Sequence, residues 1–173
     1  AIATSHPQWL VERWVESYGY EHTKAMLEEN NVPPIQTVRV NLTKATVENV
    51  LATLEREGVK AVRSEVMPEC VHLVTGQAAR TAAFKHGLIT IQDESSMLPA
   101  NVLNPQPGMK VLDMCAAPGG KTTHMAEKMN NEGSILAMDL HPKKLDLIEE
   151  NTARLGLEIV QTAPIDGRQA AQF

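Results

Sequence analysis

Residues 111–123 read Val-Leu-Asp-Met-Cys-Ala-Ala-Pro-Gly-Gly-Lys-Thr-Thr. A short apolar run ends in an acid, Asp113. A loop of small residues follows, and a helix-compatible run begins near Lys121. A strand that stops, a loop nearly without side chains and a helix that starts leave bare backbone N–H groups beside a ligand. Twenty-six residues after Asp113, a second apolar run, Ser134 to Met138, ends in Asp139. In dinucleotide folds an acid about 20 residues beyond such a loop holds ribose hydroxyls. The stretch therefore points to an α/β sheet built to hold a nucleoside-containing cofactor.

The rest of the chain extends this pattern. After Gly108 the order is strand, loop, helix (121–129), strand (134–139), helix (142–155) and strand (159–163), the start of a doubly wound parallel sheet. Upstream, residues 7–18 read as a helix with Pro7 in its first turn and Gly19 at its stop. A second helix follows over about 20–30, ended by Asn30-Asn31 and Pro33-Pro34. Residues 35–41 alternate like a strand, and Thr46 caps a helix that ends at Gly58. Strands over 59–63 and 71–74, a helix over 77–86, a strand over 87–92 and a helix over 93–103 complete the reading. The expected organisation is an α+β module over residues 1–92 and a partial doubly wound, Rossmann-like sheet over 93–173. An open α/β sheet usually has about five or more strands, and three follow Gly108. The sequence is therefore expected to be a piece of a longer parent.

Composition sets the outer limits. A 43% hydrophobic content supports a real core, and 3% aromatics make it a core of aliphatic side chains and methionine. No run is long and apolar enough to span a membrane, and residues 1–15 carry His6, Glu12 and Arg13 where a secretory signal needs an apolar run. Two cysteines, Cys70 and Cys115, far apart in sequence, do not make a disulfide framework, so a reducing, cytoplasmic setting is the default. No metal site is expected. The net charge is −5, and residues 1–95 hold nine Lys/Arg against twelve Asp/Glu. Nucleic-acid binders usually carry a basic stripe, so charge argues against RNA contact by this part acting alone.

Three cofactor readings compete. Gly120-Lys121-Thr122 looks like the end of a P-loop, but G-x-x-x-x-G-K-[ST] requires glycine where Cys115 stands. Pro118 also removes a donor that would cradle phosphate. A G-x-G-x-x-G spacing does not occur. S-adenosylmethionine carries no pyrophosphate; it has a sulfonium near an amino-acid tail. It suits an acid at a strand end, a tight loop and a ribose-binding acid on the next strand, and Asp113, residues 115–121 and Asp139 supply these.

The run Asp113 to Thr122 closely resembles the cofactor loop of the Fmu/Sun (NOP2-like) RNA cytosine 5-methyltransferases. The approach Gln92-Asp93-Glu94-Ser95-Ser96-Met97, then Pro107-Gly108 and Lys110 to Asp113, resembles them too. Thr37-Val38-Arg39-Val40-Asn41 is similar to that family's RNA-binding region, and Ser5-His6-Pro7-Gln8-Trp9-Leu10-Val11 to the junction after the NusB-like domain of bacterial 16S rRNA members. The resemblance implies S-adenosylmethionine as cofactor and ribosomal RNA, 16S, as partner. It makes residues 1–92 an RNA-binding, RRM-like module and 93–173 the first half of a methyltransferase domain, lacking the NusB-like domain and the catalytic half. It places Asp113, Cys115, Ala116, Ala117, Pro118, Gly119, Gly120, Lys121, Asp139 and Asp166 at the cofactor, Asp166 as an adenine-contacting acid. The family's reaction uses a low-pKa cysteine that adds to carbon 6 of cytosine, carried in Asp-Ala-Pro-Cys and Thr-Cys motifs. Neither motif occurs in these 173 residues, so no catalytic residue is assigned and the chain by itself is expected to be inactive. Cys115 reads as a small residue under the cofactor, Cys70 as a structural thiol, His124 as a surface or core histidine. Arg39 and Asn41 read as solvated strand residues, with RNA contact as the other possibility. A non-catalytic RNA-binding or ribosome-associated module of the same fold is the rival reading.

Overall fold

The computed structural model describes residues 2–172, which form two compact units, one ending at Ile35 and the other beginning at Gln36. The first is a helical pair, α1 (Gln8–Tyr18) and α2 (Tyr20–Glu29). Gly19, at φ 78°, makes the corner between them, a backbone conformation open to glycine. Thr23 and Leu27 are the buried side chains of the pair.

The second unit begins with β1 (Gln36–Val40), α3 (Val47–Arg56), β2 (Ala61–Arg63), β3 (Cys70–Leu73), α4 (Ala82–Lys85) and β4 (Ile89–Ile91). The four strands form an antiparallel sheet in the order β2-β3-β1-β4. A β-α-β-β-α-β chain in this order is the ferredoxin-like arrangement. Thr46 caps α3 as its sequence position suggests, its hydroxyl accepting the Asn49 N–H at 3.2 Å. Val38 and Val40 share one face of β1 and pack with Val50, Leu54, Val71 and Ile89. The central strand is buried on both sides, because Arg39 and Asn41 are also fully buried.

One expected helix does not form as a single piece. Residues 77–86 give a 3-10 turn, Ala78–Arg80, and then α4. Thr81 divides them: its backbone is extended, at φ −76° and ψ 151°, and its hydroxyl accepts the Phe84 N–H at 3.1 Å. Threonine is a weak interior helix residue and a good cap.

The chain continues through a 3-10 turn, Glu94–Met97, into α5 (Leu98–Leu103), β5 (Lys110–Asp113), α6 (Gly120–Lys128), β6 (Ser134–Met138), α7 (Pro142–Leu155) and β7 (Val160–Ala163). The three strands are parallel, in the order β5-β6-β7, with Val111 beside Ile135 and Ile135 beside Val160. This is the start of a doubly wound, Rossmann-like parallel sheet. Ile135 packs with Met125, Ala126, Met129 and Leu155, and Ala137 with Ala116, Leu145 and Ile148. The opposite face forms a shallow open groove over Lys110, Leu112, Leu136 and Gln161. Among the described residues no helix is long and apolar enough to cross a membrane.

The C-terminal end of α7 is tied to the antiparallel sheet. Arg154 donates through Nη1 to the carbonyls of Phe84 and Ile89, both at 2.9 Å, and its guanidinium lies 4.1 Å over the Phe84 ring. Asn41 donates to the carbonyls of Gly87 and Leu155 at 3.2 and 3.3 Å.

Candidate functional site

In an open parallel sheet, ligands bind beyond the carboxyl ends of the strands. Asp113 is the last residue of β5, Asp139 follows β6 directly, and Asp166 lies shortly after β7. Both oxygens of Asp113 shape the loop. Oδ2 accepts the Thr122 hydroxyl at 2.7 Å, and Oδ1 lies 3.4 Å from the Cys115 N–H. The loop is pinned further by the Ala116 N–H on the Met138 carbonyl at 2.8 Å and the Gly119 N–H on the Ala116 carbonyl at 2.7 Å. The Ala117–Pro118 bond is cis. Gly119 precedes α6 at φ 97°, and a Cβ there would stand 3.3 Å from Cα of Ile148. The backbone angle requires glycine, and the close approach of α7 leaves little room for a side chain.

Asp139 keeps its carboxylate partly open. Oδ1 accepts the His141 N–H at 3.1 Å, and this bond leads in holding the carboxyl below the usual range, with help from Lys144 and the Ala117 N–H. Asp166 is held by the neighbouring Arg168, whose backbone and guanidinium hydrogen bonds bring its carboxyl down to about 2. Cys115, Ala116, Ala117, Pro118, Gly120 and Lys121 line one wall of a cleft of about 220 Å3; Ile91, Gln92, Asp93 and Ser96 line the other. The three aspartates lie outside this cleft. Gly119 lies outside it too, turned toward α7. Lys121 is exposed.

The sequence reading missed a buried polar network below the loop. Arg39 and Asn41 are not solvated strand residues: both have 0% exposure. Arg39 forms a bidentate pair with Glu127, both contacts at 2.8 Å. His124 is likewise buried, its Nε2 3.1 Å from Oε1 of Glu69. Asn101 donates to the same oxygen at 2.7 Å and accepts from Lys128 at 2.9 Å. A charged residue amid valines in a strand was the available signal; its partner lies 88 positions away.

The His124–Glu69 pair makes stability acid-sensitive. His124 leads in holding the Glu69 carboxyl at about 2, against the upward pull of burial; its ordinary value is 4.5. The folded protein thus keeps Glu69 ionised where the unfolded chain takes up a proton. This contribution is complete above pH 4.5 and is lost as pH falls toward 2. Burial also pushes His124 below its ordinary 6.5, so the unfolded chain binds that proton first and stability falls in the same direction. Urea midpoints are expected to drop on acidification below pH 6.5. Glu69→Gln should flatten the part below 4.5; an unchanged profile would rule this pair out as the source.

Cys70, His72 and Glu94 bring one ligand-type atom each within 4.8 Å of one another. Protein groups already engage His72 and Glu94. His72 pairs with Glu94 at 3.5 Å and with the Thr37 hydroxyl at 3.2 Å, and Ser64 donates to Glu94. Burial leads in pushing the Cys70 thiol up to about 12, far from the thiolate a nucleophile needs.

A parallel sheet with acids at successive strand tips and a small-residue loop entering a helix defines a nucleoside-cofactor class of α/β domain. Two family descriptions match the chain: "Methyltr_RsmF/B-like, ferredoxin-like domain" over residues 6–80 and "16S rRNA methyltransferase RsmB/F" over residues 100–173. The probable ribosomal RNA small subunit methyltransferase B of Bacillus subtilis (strain 168) is 43% identical over 172 residues, covering 99% of this chain and 38% of that protein. The ribosomal RNA small subunit methyltransferase B of Proteus mirabilis (strain HI4320) is 36% identical over 169 residues, covering 97% and 39%. The solved structure of a methyltransferase homolog protein from Pyrococcus horikoshii superposes with a TM-score of 0.86 at 31% identity, covering 99% of this chain and 56% of that one. The chain belongs to the RsmB/F methyltransferase family, the family its loop motif resembles. It spans about two-fifths of the length of the curated relatives it matches.

Proposed function

We propose that this chain is the RNA-binding and cofactor-binding portion of an rRNA (cytosine-5)-methyltransferase acting on 16S rRNA in the cytoplasm. Residues 1–92 serve as the RNA-binding module, and 93–173 as the first half of the S-adenosylmethionine domain. The observation that carries this reading is the loop from Asp113 to Lys121, fastened by Asp113 and opening onto the strand tips. The rRNA assignment rests on the family, since residues 1–95 carry more acids than bases.

The donor set fits S-adenosylmethionine. Gly120 and Lys121 head α6, where backbone N–H groups lack intrahelical partners and favour a carboxylate such as the cofactor's tail. Lys121 adds a cation beside it. Asp113 presents its charge to the amino group, and residues 115–120 supply a wall with few side chains. Asp139 takes the ribose hydroxyls through the oxygen that His141 does not occupy. Asp166 reaches adenine by releasing Arg168, an exposed partner; exposed pairs are weak. The cleft of about 220 Å3 is below the roughly 300–1,000 Å3 of small-molecule sites. It takes one end of the cofactor, and the remainder lies across the strand tips. The bound cofactor supplies the methyl group. Within the 173 residues we assign no catalytic residue, since Cys70 is a buried structural thiol and Cys115 belongs to the loop.

Calorimetry tests the reading. S-adenosylmethionine and its demethylated product are expected to bind, and ATP and GTP to give no heat. Asp139→Ala should weaken binding by about 1–3 kcal/mol, the loss of a hydrogen-bonded pair. Equal heat from ATP, or none from S-adenosylmethionine, would sink the cofactor assignment.

A further inference from the structure

Arg39 leaves β1 on the face opposite Val38 and Val40 and is wholly buried. A guanidinium has five N–H donors, and here all five have acceptors. Nε and Nη2 grip Glu127; Nη2 also reaches the Thr123 hydroxyl at 3.1 Å; Nη1 donates to the Gly120 carbonyl at 2.9 Å and to the Gln92 side-chain carbonyl. Gly120, Thr123 and Glu127 form one stripe along α6. The Thr123 hydroxyl carries the connection on to the Gly119 carbonyl at 2.8 Å. Gln92 belongs to the wall that faces the loop across the cleft, and its amide donates to the Ser96 carbonyl at 2.9 Å. One side chain from the antiparallel sheet therefore holds both walls of the cleft.

Stability alone does not account for this arrangement. Burying an ion pair is often no better than filling the same space with apolar side chains. A cation near the start of a helix also opposes the helix dipole. What an Arg fork provides is fixed geometry between groups.

We infer that Arg39 is a positioning residue for the cofactor site: it sets the spacing between the loop and the Gln92–Ser96 wall, so that the antiparallel sheet presets the pocket. The inference rests on the cofactor reading above. Arg39→Met is expected to raise the S-adenosylmethionine dissociation constant at least tenfold under conditions where the variant is folded. It should also speed hydrogen exchange at the Thr123 and His124 amides relative to those of α7. Leu54→Ala, a core truncation on α3 where it packs against the antiparallel sheet, should lower stability and leave both readouts unchanged. Thr123→Val is the milder variant should Arg39→Met fail to fold; it removes one acceptor at nearly constant volume and should move both readouts in the same direction. Wild-type affinity and wild-type exchange in a folded Arg39 or Thr123 variant would overturn the inference. If the unmodified chain binds no S-adenosylmethionine, the cofactor reading fails by itself, and the exchange measurements decide the role of Arg39.

Discussion

Glu127→Ala is expected to remove about 3–5 kcal/mol of stability, the range for breaking a buried ion pair by deleting one partner. Arg39 has no exposure, and the Glu127 side chain is 4% exposed. Without the carboxylate, the guanidinium keeps Gln92, Thr123 and Gly120 as acceptors and loses the counter-charge of the bidentate pair. A domain is stable by only about 5–15 kcal/mol in all, so this single change brings the chain close to unfolding. Replacing both partners, as Arg39→Met with Glu127→Leu, should be far milder, because the uncompensated charge is gone. Urea titration of the two variants gives the comparison. Equal losses would show that the packing of these side chains matters and the charge does not.

Gly87→Ala is the second large effect, about 2–5 kcal/mol. Gly87 sits at φ 69°, and an added Cβ would lie 2.2 Å from the Arg154 carbonyl oxygen and 3.1 Å from Cα of Leu155. These atoms are backbone and cannot rotate away. Asn41 and Arg154 tie the same strands of chain together from either side. The strain of a left-handed alanine, about 1–2 kcal/mol, thus adds to an overpacking loss of about 1–3 kcal/mol. Gly58→Ala supplies the control. Its φ is 75°, and nothing lies within 4 Å of the added atom, so only the backbone part remains. Thermal unfolding should separate the two by several degrees, since 1 kcal/mol shifts the midpoint by about 2–4 °C at this chain length. Matching midpoints would mean that α7 does not press on Gly87.

Local patterns carried much of the architecture. The strand at Lys110–Asp113, the strand at Ser134–Met138 and the helix between them follow from apolar runs of the right length, punctuated by glycine and acids. The Thr46 cap and the stop at Gly19 were legible for the same reason: each depends on a neighbour within a few residues. Thr81 shows where this reasoning slips. Residues 77–86, rich in alanine and followed by Gly87, read as one helix, but Thr81 turns its hydroxyl to the backbone and restarts the helix.

The ordering of the loop from Asp113 to Lys121 was written in the sequence, because small residues between a strand and a helix admit few backbone paths. What the loop rests on was not. Arg39 and Glu127, His124 and Glu69, Asn41 and the carbonyl of Leu155 are pairs drawn from distant segments. In isolation Arg39 and Asn41 read as solvated, since a buried polar side chain needs a partner that the local sequence does not show. Only the packed structure removes the water and supplies a partner in its place, and that exchange depends on where strands and helices meet in space, which local propensity does not encode.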